Sequence, residues 1–160
     1  MSELQIRTAE PADAEQILAF ITELAIYEQA EHEVVADVVD IRERLFGAHA
    51  SVYALIAELD GQAIGFAVYF LNFSTWLGRH GIFLEDLYIT PSARGQGHAT
   101  GLLRYLARLA VDRGYGRFEW NVLDWNTPAI AFYESIGATP QSEWIGYRLS
   151  GQALVDFAKA

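Results

Sequence analysis

Apolar residues recur every three to four positions in two long stretches of the chain, and this spacing predicts amphipathic helices. The first stripe begins after Pro11, which suits the first turn of a helix, and ends near Tyr27-Glu28. The second runs to about Arg113, and Gly114 marks its end. The apolar members are Ala14, Ile17, Leu18, Ile21, Leu24 and Ala25, and then Leu102, Leu103, Leu106, Leu109 and Ala110. Shorter helices are predicted over about Asp37–Phe46 and Ala129–Ile136, and after Ser150 through Phe157.

Runs rich in β-branched and aromatic residues predict the strands. Two of these runs, Val52–Leu59 and Ala63–Phe70, are separated by Asp60-Gly61, a dipeptide typical of a tight hairpin turn. The segment that follows, Leu71–His80, is polar enough to be an exposed loop. The remaining predicted strands are Leu4–Arg7, Leu84–Ile89, Phe118–Leu123 and Trp144–Leu149.

The predicted elements follow the order β-α-α-β-β-β-α-β-α-β, with a further helix at the end. This order is typical of an α/β domain with a mixed sheet. A length of 160 residues, 52% of them hydrophobic and 20% charged, supports one globular core and is too short for two ordinary domains. We therefore expect a single domain over residues 1–160.

The formal net charge of −10 argues against a nucleic-acid partner, because no basic face is available to displace phosphate counterions. Excess acid favours solubility and also attracts cationic substrates, and charge alone does not decide between the two. The longest uncharged run, residues 61–78, is interrupted by polar residues and is shorter than the ~20 apolar residues of a membrane helix. The chain has no cysteine and begins Met-Ser-Glu, without a signal-peptide pattern. We expect a cytoplasmic protein with no membrane partner.

A candidate anion site lies where the predicted strand Leu84–Ile89 leads into the second long helix. The loop there reads Arg94-Gly95-Gln96-Gly97-His98-Ala99. Glycines let backbone N–H groups approach a ligand closely, and the helix dipole adds partial positive charge. A Walker loop is excluded because no Gly-Lys-Ser/Thr follows, and Thr100 stands where a dinucleotide fingerprint needs its third glycine. Taken alone, the loop is explained equally well by ordinary turn chemistry.

Two motifs occur in order along the second half of the chain. The first is the loop Arg94–Ala99, and the second reads Asn126-x-Pro128-x-x-x-Phe132-Tyr133-x-x-x-Gly137-Ala138. Together with the order of the elements, they resemble the two signatures of the GNAT superfamily of acyl-CoA-dependent N-acetyltransferases. The resemblance implies an α/β GNAT-like fold, in which a mixed, mostly antiparallel central sheet with splayed middle strands is flanked by helices.

Further short matches extend the resemblance over residues 4–149, to the diamine (spermidine/spermine) acetyltransferase branch. The matching segments are Ile6-Arg7, Glu23-Leu24-Ala25-x-Tyr27-Glu28, Phe46-Gly47, Gly65-Phe66-Ala67, Trp76-x-Gly78, Leu84-Glu85-Asp86 and Trp125-Asn126. Two positions depart from that branch. Ser74 replaces an aspartate, and Tyr147 replaces a tryptophan before Arg148-Leu149. Both lie in substrate-facing regions of the family, so the resemblance implies acetyl transfer without naming the amine.

The resemblance implies acetyl-CoA as acyl donor and no metal. Its pyrophosphate is expected to lie near Arg94, on the backbone N–H groups of Gly95, Gln96, Gly97, His98, Ala99 and Thr100. The strand Leu87-Tyr88-Ile89 is expected to pair with the pantetheine arm, with one N–H beside the acetyl oxygen. Asn126 is expected to cap its helix and to touch the pantetheine. For Glu31-His32-Glu33 we predict a solvated loop, because no second histidine falls at ligand spacing.

Tyr133 is the predicted general acid, since a phenol of pKa ~10 stays protonated and can donate to the leaving thiolate. Glu85 is the candidate base, although taking a proton from an ammonium of pKa ~10.4 is steeply uphill for an ordinary glutamate. It either acts as a base, through water or a raised pKa, or only binds the substrate. By resemblance, Tyr27, Glu28, Trp76 and Asp86 complete an acidic and aromatic pocket for the amine. Trp76 can equally be a residue of a subunit contact.

The sequence thus predicts an acetyl-CoA-dependent N-acetyltransferase that acts on the primary amine of a small cationic substrate. Polyamines, diamines and lysine-like amino acids fit this description. A protein N-terminal or lysine acetyltransferase and a non-catalytic acyl-CoA sensor on the same fold stay open as alternatives, as does a longer acyl donor. The resemblance also implies a homodimer.

Overall fold

A computed structural model describes residues 2–159, which form two compact units that divide after Asn121. The described elements of the first unit are β1 Gln5–Thr8, α1 Ala14–Tyr27, α2 Val38–Phe46, β2 Val52–Leu59, β3 Gln62–Ser74, β4 Arg79–Ile89, α3 His98–Asp112 and β5 Phe118–Trp120. Those of the second unit are α4 Thr127–Ser135 and α5 Gly151–Lys159. The single domain expected over residues 1–160 stays a prediction.

The sheet of the first unit is mixed and mostly antiparallel. Its strands lie in the order β1-β2-β3-β4-β5, and each is antiparallel to its neighbour except β5, which is parallel to β4. The β4–β5 pairing covers only Ile82–Leu84 against Phe118–Trp120, so these strands part well before β4 ends at Ile89. The predicted GNAT-like fold, with its splayed strands, is confirmed.

An aromatic and aliphatic cluster fixes α1 on one face of this sheet. Phe20 of α1 is buried, with its ring centroid 5.5 Å from that of Phe66 and 5.8 Å from that of Tyr88. Burying such a side chain contributes about 1.5–3 kcal/mol to stability. In β2, Leu55 and Ala57 alternate with strand residues that belong to this cluster, and both are also buried. The buried stripe predicted for α3 is confirmed at Leu102, Leu103, Leu106 and Ala110.

The β2–β3 turn has the conformation that its dipeptide predicts. Asp60 and Gly61 both have positive φ, 50° and 76°, as a tight hairpin turn requires. The loop predicted over Leu71–His80 is much shorter in the structure, because Phe73 and Ser74 pair with His80 and Arg79. An exposed hairpin extension of this kind needs backbone pairing and no buried face, so apolar alternation does not reveal it.

The strand predicted over Trp144–Leu149 is not formed, and β5 ends at Trp120, three residues earlier than predicted. A strand needs a neighbour to receive its backbone N–H and C=O groups. In residues 122–159 the structure describes two helices and no strand that could pair with Trp144–Leu149. The strand prediction for this segment, which relied on its aromatic and β-branched composition, is therefore wrong.

Candidate active site

The last part of β4 has one open edge. In the described part of the chain, β5 pairs with β4 only as far as Leu84, whereas β3 pairs with it up to Ile89. The N–H of Thr90 donates to the carbonyl of Ile64 at 2.8 Å, on the β3 side. Because backbone groups alternate along a strand, the N–H groups of Leu87 and Ile89 point to the open side. An extended ligand can therefore pair there with two backbone donors.

The glycine loop, residues 94–99, follows this open edge. Gly95 and Gly97 have φ of 76° and 83°, and a Cβ built on either would meet nothing within 4 Å. Their conformation, and not crowding by the protein, thus favours glycine. Gly97 is the N-cap of α3 and has no side chain to accept from the first-turn N–H groups, whereas α2 begins with a capping box of Asp37 and Asp40. The start of α3 is therefore suited to an anionic ligand.

A β-bulge lies at Glu85. Asp86 pairs with Val68 and Leu84 pairs with Tyr69, so Glu85 is an extra residue without a Cα partner on β3. A bulge of this kind breaks the alternation of side chains and redirects them. The alternation expected of a regular strand, with Glu85 and Asp86 on opposite faces, therefore does not apply here.

The bulge and the end of α1 together form a carboxylate cluster, which consists of Glu28, Glu85 and Asp86. Burial, followed by the charges of Glu85 and Glu28, raises the pKa of Asp86 to about 6. Burial, followed by the charge of Glu85, also raises the pKa of Glu28. A cation bound here would relieve the repulsion between the carboxylates, so the cluster is suited to an ammonium group.

Arg94 points back toward the protein. Its Nε donates to the carbonyl oxygen of Ile89 at 2.8 Å, and its Cζ lies 5.2 Å from the ring centroid of Tyr27 and 5.3 Å from that of Tyr88. The Tyr88 hydroxyl in turn donates to Glu23 Oε2 at 2.7 Å. Sequence reasoning missed the contacts with Tyr27 and Glu23 because they join residues far apart in the chain.

Trp76 lies at the other end of β4 from the carboxylate cluster. Its side chain is 80% exposed in the β3–β4 turn, and at about 3.3 Å per residue the six steps from Arg79 to Glu85 span roughly 20 Å. In the same turn the Oγ of Ser74 accepts from the N–H of Leu77 at 3.2 Å. The structure thus joins Glu28 and Asp86 to Glu85 but does not bring Trp76 to them, and its role in the pocket stays a prediction.

Tyr133 and Asn126 belong to the second unit. The Asn126 side chain accepts from the N–H of Ala129 at 3.4 Å, so the predicted helix cap is present. Tyr133 lies in α4 with its ring 5.8 Å from that of Phe132, and its carbonyl accepts from the N–H of Ala138 at 3.1 Å, just beyond Gly137. The chemical roles of Tyr133 and Asn126 stay predictions.

Residues 2–159 contain neither a helix that could span a membrane nor a group of metal ligands. No helix in this range is long and apolar enough to cross a membrane. In the same range no group of three or more histidine, aspartate or glutamate side chains is arranged to hold a metal ion. His32 Nε2 lies 3.9 Å from Glu33 Oε1 on an exposed turn.

Parted strands beside a glycine-lined helix start, in this order of elements, are the arrangement expected of an acyl-CoA-dependent acyltransferase with a GNAT-like fold. Residues 15–138 match the sequence model of the acetyltransferase (GNAT) family, and the chain belongs to this family. The chain is 33% identical to the thialysine N-epsilon-acetyltransferase of Mus musculus, over 99% of both chains. It is 32% identical to the spermidine/spermine N(1)-acetyltransferase-like protein 1 of Homo sapiens, over 99% of this chain and 24% of that protein.

Structural similarity agrees with the sequence comparisons. An integron cassette protein from the mobile metagenome of V. cholerae superposes with a TM-score of 0.83 and 27% identity, over 98% of both chains. The predicted resemblance to the diamine acetyltransferase branch is confirmed by the two relatives above. The chain is thus an acyl-CoA-dependent N-acetyltransferase that acts on amines.

Proposed function

We propose that this enzyme transfers the acetyl group of acetyl-CoA to the primary amine of a small cationic substrate, by direct attack of the amine on the thioester. Polyamines, diamines and lysine-like amino acids are the proposed substrates. The observation that carries the proposal is the carboxylate cluster at the start of the open edge of β4, with the glycine loop at its end. The relatives named for thialysine and for spermidine/spermine support the same class of amine.

In this proposal the acyl donor lies along the open edge. The pyrophosphate binds the N–H groups of the loop and of the first turn of α3, and the pantetheine arm pairs with the backbone of Leu87 and Ile89. One N–H on this edge donates to the acetyl oxygen as negative charge develops there. A preorganised donor of this kind contributes about 2.7–4 kcal/mol to transition-state stabilisation in other enzymes.

The carboxylate cluster binds the ammonium group and receives its proton. A carboxylate with a raised pKa is a better acceptor than an ordinary one, because the difference from the ammonium pKa of ~10.4 is smaller. Burial and its two acidic neighbours raise the pKa of Asp86 to about 6. The sequence names Glu85 either as the base or only as a substrate-binding residue. We therefore propose that Glu85 and Glu28 hold the cation. Asp86 shares the role of proton acceptor with the candidate base Glu85.

Tyr133 is proposed to protonate the leaving thiolate. We expect Tyr133→Phe to lower kcat by about 10²–10⁴, the typical contribution of a general acid. The Kd for CoA, measured by calorimetry, should change less than threefold, because only the hydroxyl is removed. Phe132→Leu, a change in the neighbouring ring, is the control for packing within α4. A Tyr133→Phe enzyme with full turnover would remove Tyr133 from the mechanism.

The direct test is a panel of amines incubated with acetyl-CoA and the purified enzyme, with products identified by mass spectrometry. The panel contains spermidine, a short diamine, thialysine, lysine, an amine with no second charge, and a peptide with a free N-terminus and a lysine. Acetylation of the dicationic amines or of the lysine-like amino acids supports the proposal. Acetylation of the peptide alone would assign a protein acetyltransferase, and CoA binding without any turnover would assign a sensor.

A homodimer is also proposed, on the resemblance alone. Light scattering coupled to size-exclusion chromatography measures the mass, and a value near the 17.9 kDa of one chain would contradict it. The cytoplasmic location stays a prediction.

A further inference from the structure

Arg94 connects three parts of the site. Its Nε donates to the carbonyl of Ile89, the last residue of β4. Its guanidinium lies over the rings of Tyr27, the last residue of α1, and Tyr88 in β4. Arg94 is also the first residue of the glycine loop, so the start of the loop is joined to the end of a helix and to the end of a strand.

The contact with α1 bears on the carboxylate cluster. Glu28, one of its three members, directly follows Tyr27 and is the C-cap of α1. One turn earlier, the carboxylate of Glu23 accepts from the Tyr88 hydroxyl at 2.7 Å. The stack of Tyr27, Arg94 and Tyr88 therefore continues the attachment of α1 to β4 up to the residue that precedes Glu28.

The contact with Ile89 bears on the open edge. In an antiparallel strand the N–H and C=O of one residue point to the same side, so the carbonyl of Ile89 faces the open edge. Arg94 occupies this carbonyl at 2.8 Å. It therefore binds the last carbonyl of this edge, next to the loop, and leaves the N–H groups of Leu87 and Ile89 open.

We propose that Arg94 is a positioning residue that holds Glu28 and the glycine loop in a fixed relation to β4, and is not a ligand of the pyrophosphate. This inference rests on the proposed function, in which amine and acyl donor meet along β4. A planar guanidinium that stacks and donates at once cannot be replaced by lysine, which lacks both the plane and the Nε donor. Misplacement of reacting groups by about 1 Å can cost 10²-fold in rate.

The first test compares two acyl donors, acetyl-CoA and S-acetylpantetheine, which lacks the pyrophosphate. The amine is the panel member that the wild-type enzyme acetylates fastest. For Arg94→Met we expect kcat/KM to fall at least tenfold with both donors, to the same extent within threefold, and the KM for the amine to rise. A loss confined to acetyl-CoA would make Arg94 a pyrophosphate ligand and overturn the inference, and so would unchanged kinetics with both donors.

The second test does not depend on turnover. Hydrogen exchange measured by mass spectrometry should be faster in Arg94→Met than in wild type over residues 23–30, at the end of α1, and unchanged over the middle of α3. Unchanged exchange at the end of α1 would overturn the inference even in an active enzyme. An enzyme that acetylates no amine would contradict the proposed function. Hydrogen exchange alone would then decide the role of Arg94.

Matched variants separate stacking from charge. Arg108→Met removes an exposed arginine near the end of α3 and should leave both measurements unchanged. Tyr27→Leu, which removes the ring, should resemble Arg94→Met. The losses of Arg94→Met and Tyr27→Leu should not add in the double variant, because both remove one contact. Additive losses would contradict a shared positioning role.

Discussion

The glycine loop and the carboxylate cluster lie at the two ends of one stretch of β4, and they are built in opposite ways. The loop presents backbone groups in a conformation that two neighbouring glycines favour, with φ of 76° and 83°. The cluster gathers charged side chains from α1 and from a bulge in β4, where burial and mutual repulsion raise the pKa of Asp86 to about 6. The loop therefore adds little strain to the fold, whereas the cluster places destabilising charge where an ammonium ion can relieve it.

This contrast predicts that substitutions in the cluster impair the use of the amine, whereas substitutions in the loop impair the binding of CoA. We expect the double variant Glu85→Gln/Asp86→Asn to lower kcat/KM for the amine by about 10²–10⁴, at about 1.5–3 kcal/mol for each lost charged partner. The Kd for CoA should change less than threefold. Steady-state kinetics at saturating acetyl-CoA and calorimetry with CoA measure the two quantities.

The matched control for that variant is Glu43→Gln/Asp112→Asn, which removes two exposed carboxylates from α2 and α3. It changes the net charge by the same amount and should leave kcat/KM within twofold of wild type. An equal loss in the control would attribute amine binding to the overall acidity of the enzyme. The cluster and the loop would then not differ in the substrate that each binds.

The cluster should also reduce stability above pH 6, and Asp86→Asn should restore it. The folded-state pKa of Asp86 is about 6, above its ordinary 3.8, so the folded state binds a proton more tightly than the unfolded state. The unfolding free energy should therefore fall as pH rises from about 4 to 6 and level off above that range. By pH 8 the substitution should stabilise the enzyme by up to about 3 kcal/mol.

Urea denaturation of wild type and Asp86→Asn between pH 4 and pH 8 measures this difference. The two curves of stability against pH should converge near pH 4, where the carboxyl of Asp86 is protonated in the folded state. Parallel curves across the whole range would mean that the folded state does not raise the pKa of Asp86. Loss of activity together with a gain in stability would mark the cluster as a functional site.

The loop could be predicted from the sequence because its chemistry is local. Two glycines separated by one residue indicate the backbone conformation, and the apolar stripe after them indicates the helix that follows. Apart from the strand predicted over Trp144–Leu149, the order of the elements was equally accessible, because each strand or helix carries its own periodicity. Asp60-Gly61, for instance, adopts the positive φ pair that its composition predicts.

The cluster could be predicted only as a set of residues, because its geometry depends on a register shift. Nothing in Leu84-Glu85-Asp86 indicates that β3 pairs with Asp86 and Leu84 and passes over Glu85. The contacts of Arg94 with Tyr27 depend in the same way on how α1 packs, which is set by Phe20, Phe66 and Tyr88. Trp144–Leu149 shows the converse, since a strand-like composition forms no strand where the described part of its unit offers no neighbour.

The smallest predicted effect compares two glycines that the protein uses differently. Gly97 in the loop and Gly61 in the β2–β3 turn have φ of 83° and 76°, and a Cβ added at either meets nothing within 4 Å. Each should therefore lose about 1–2 kcal/mol of stability when replaced by alanine, through backbone strain alone. Only Gly97→Ala should raise the Kd for CoA, by about tenfold, because relaxing that strain turns the N–H groups away from the anion. Thermal denaturation measures the stability and calorimetry measures the Kd for CoA. Equal CoA affinity in the two variants would mean that the glycines of the loop are ordinary turn residues.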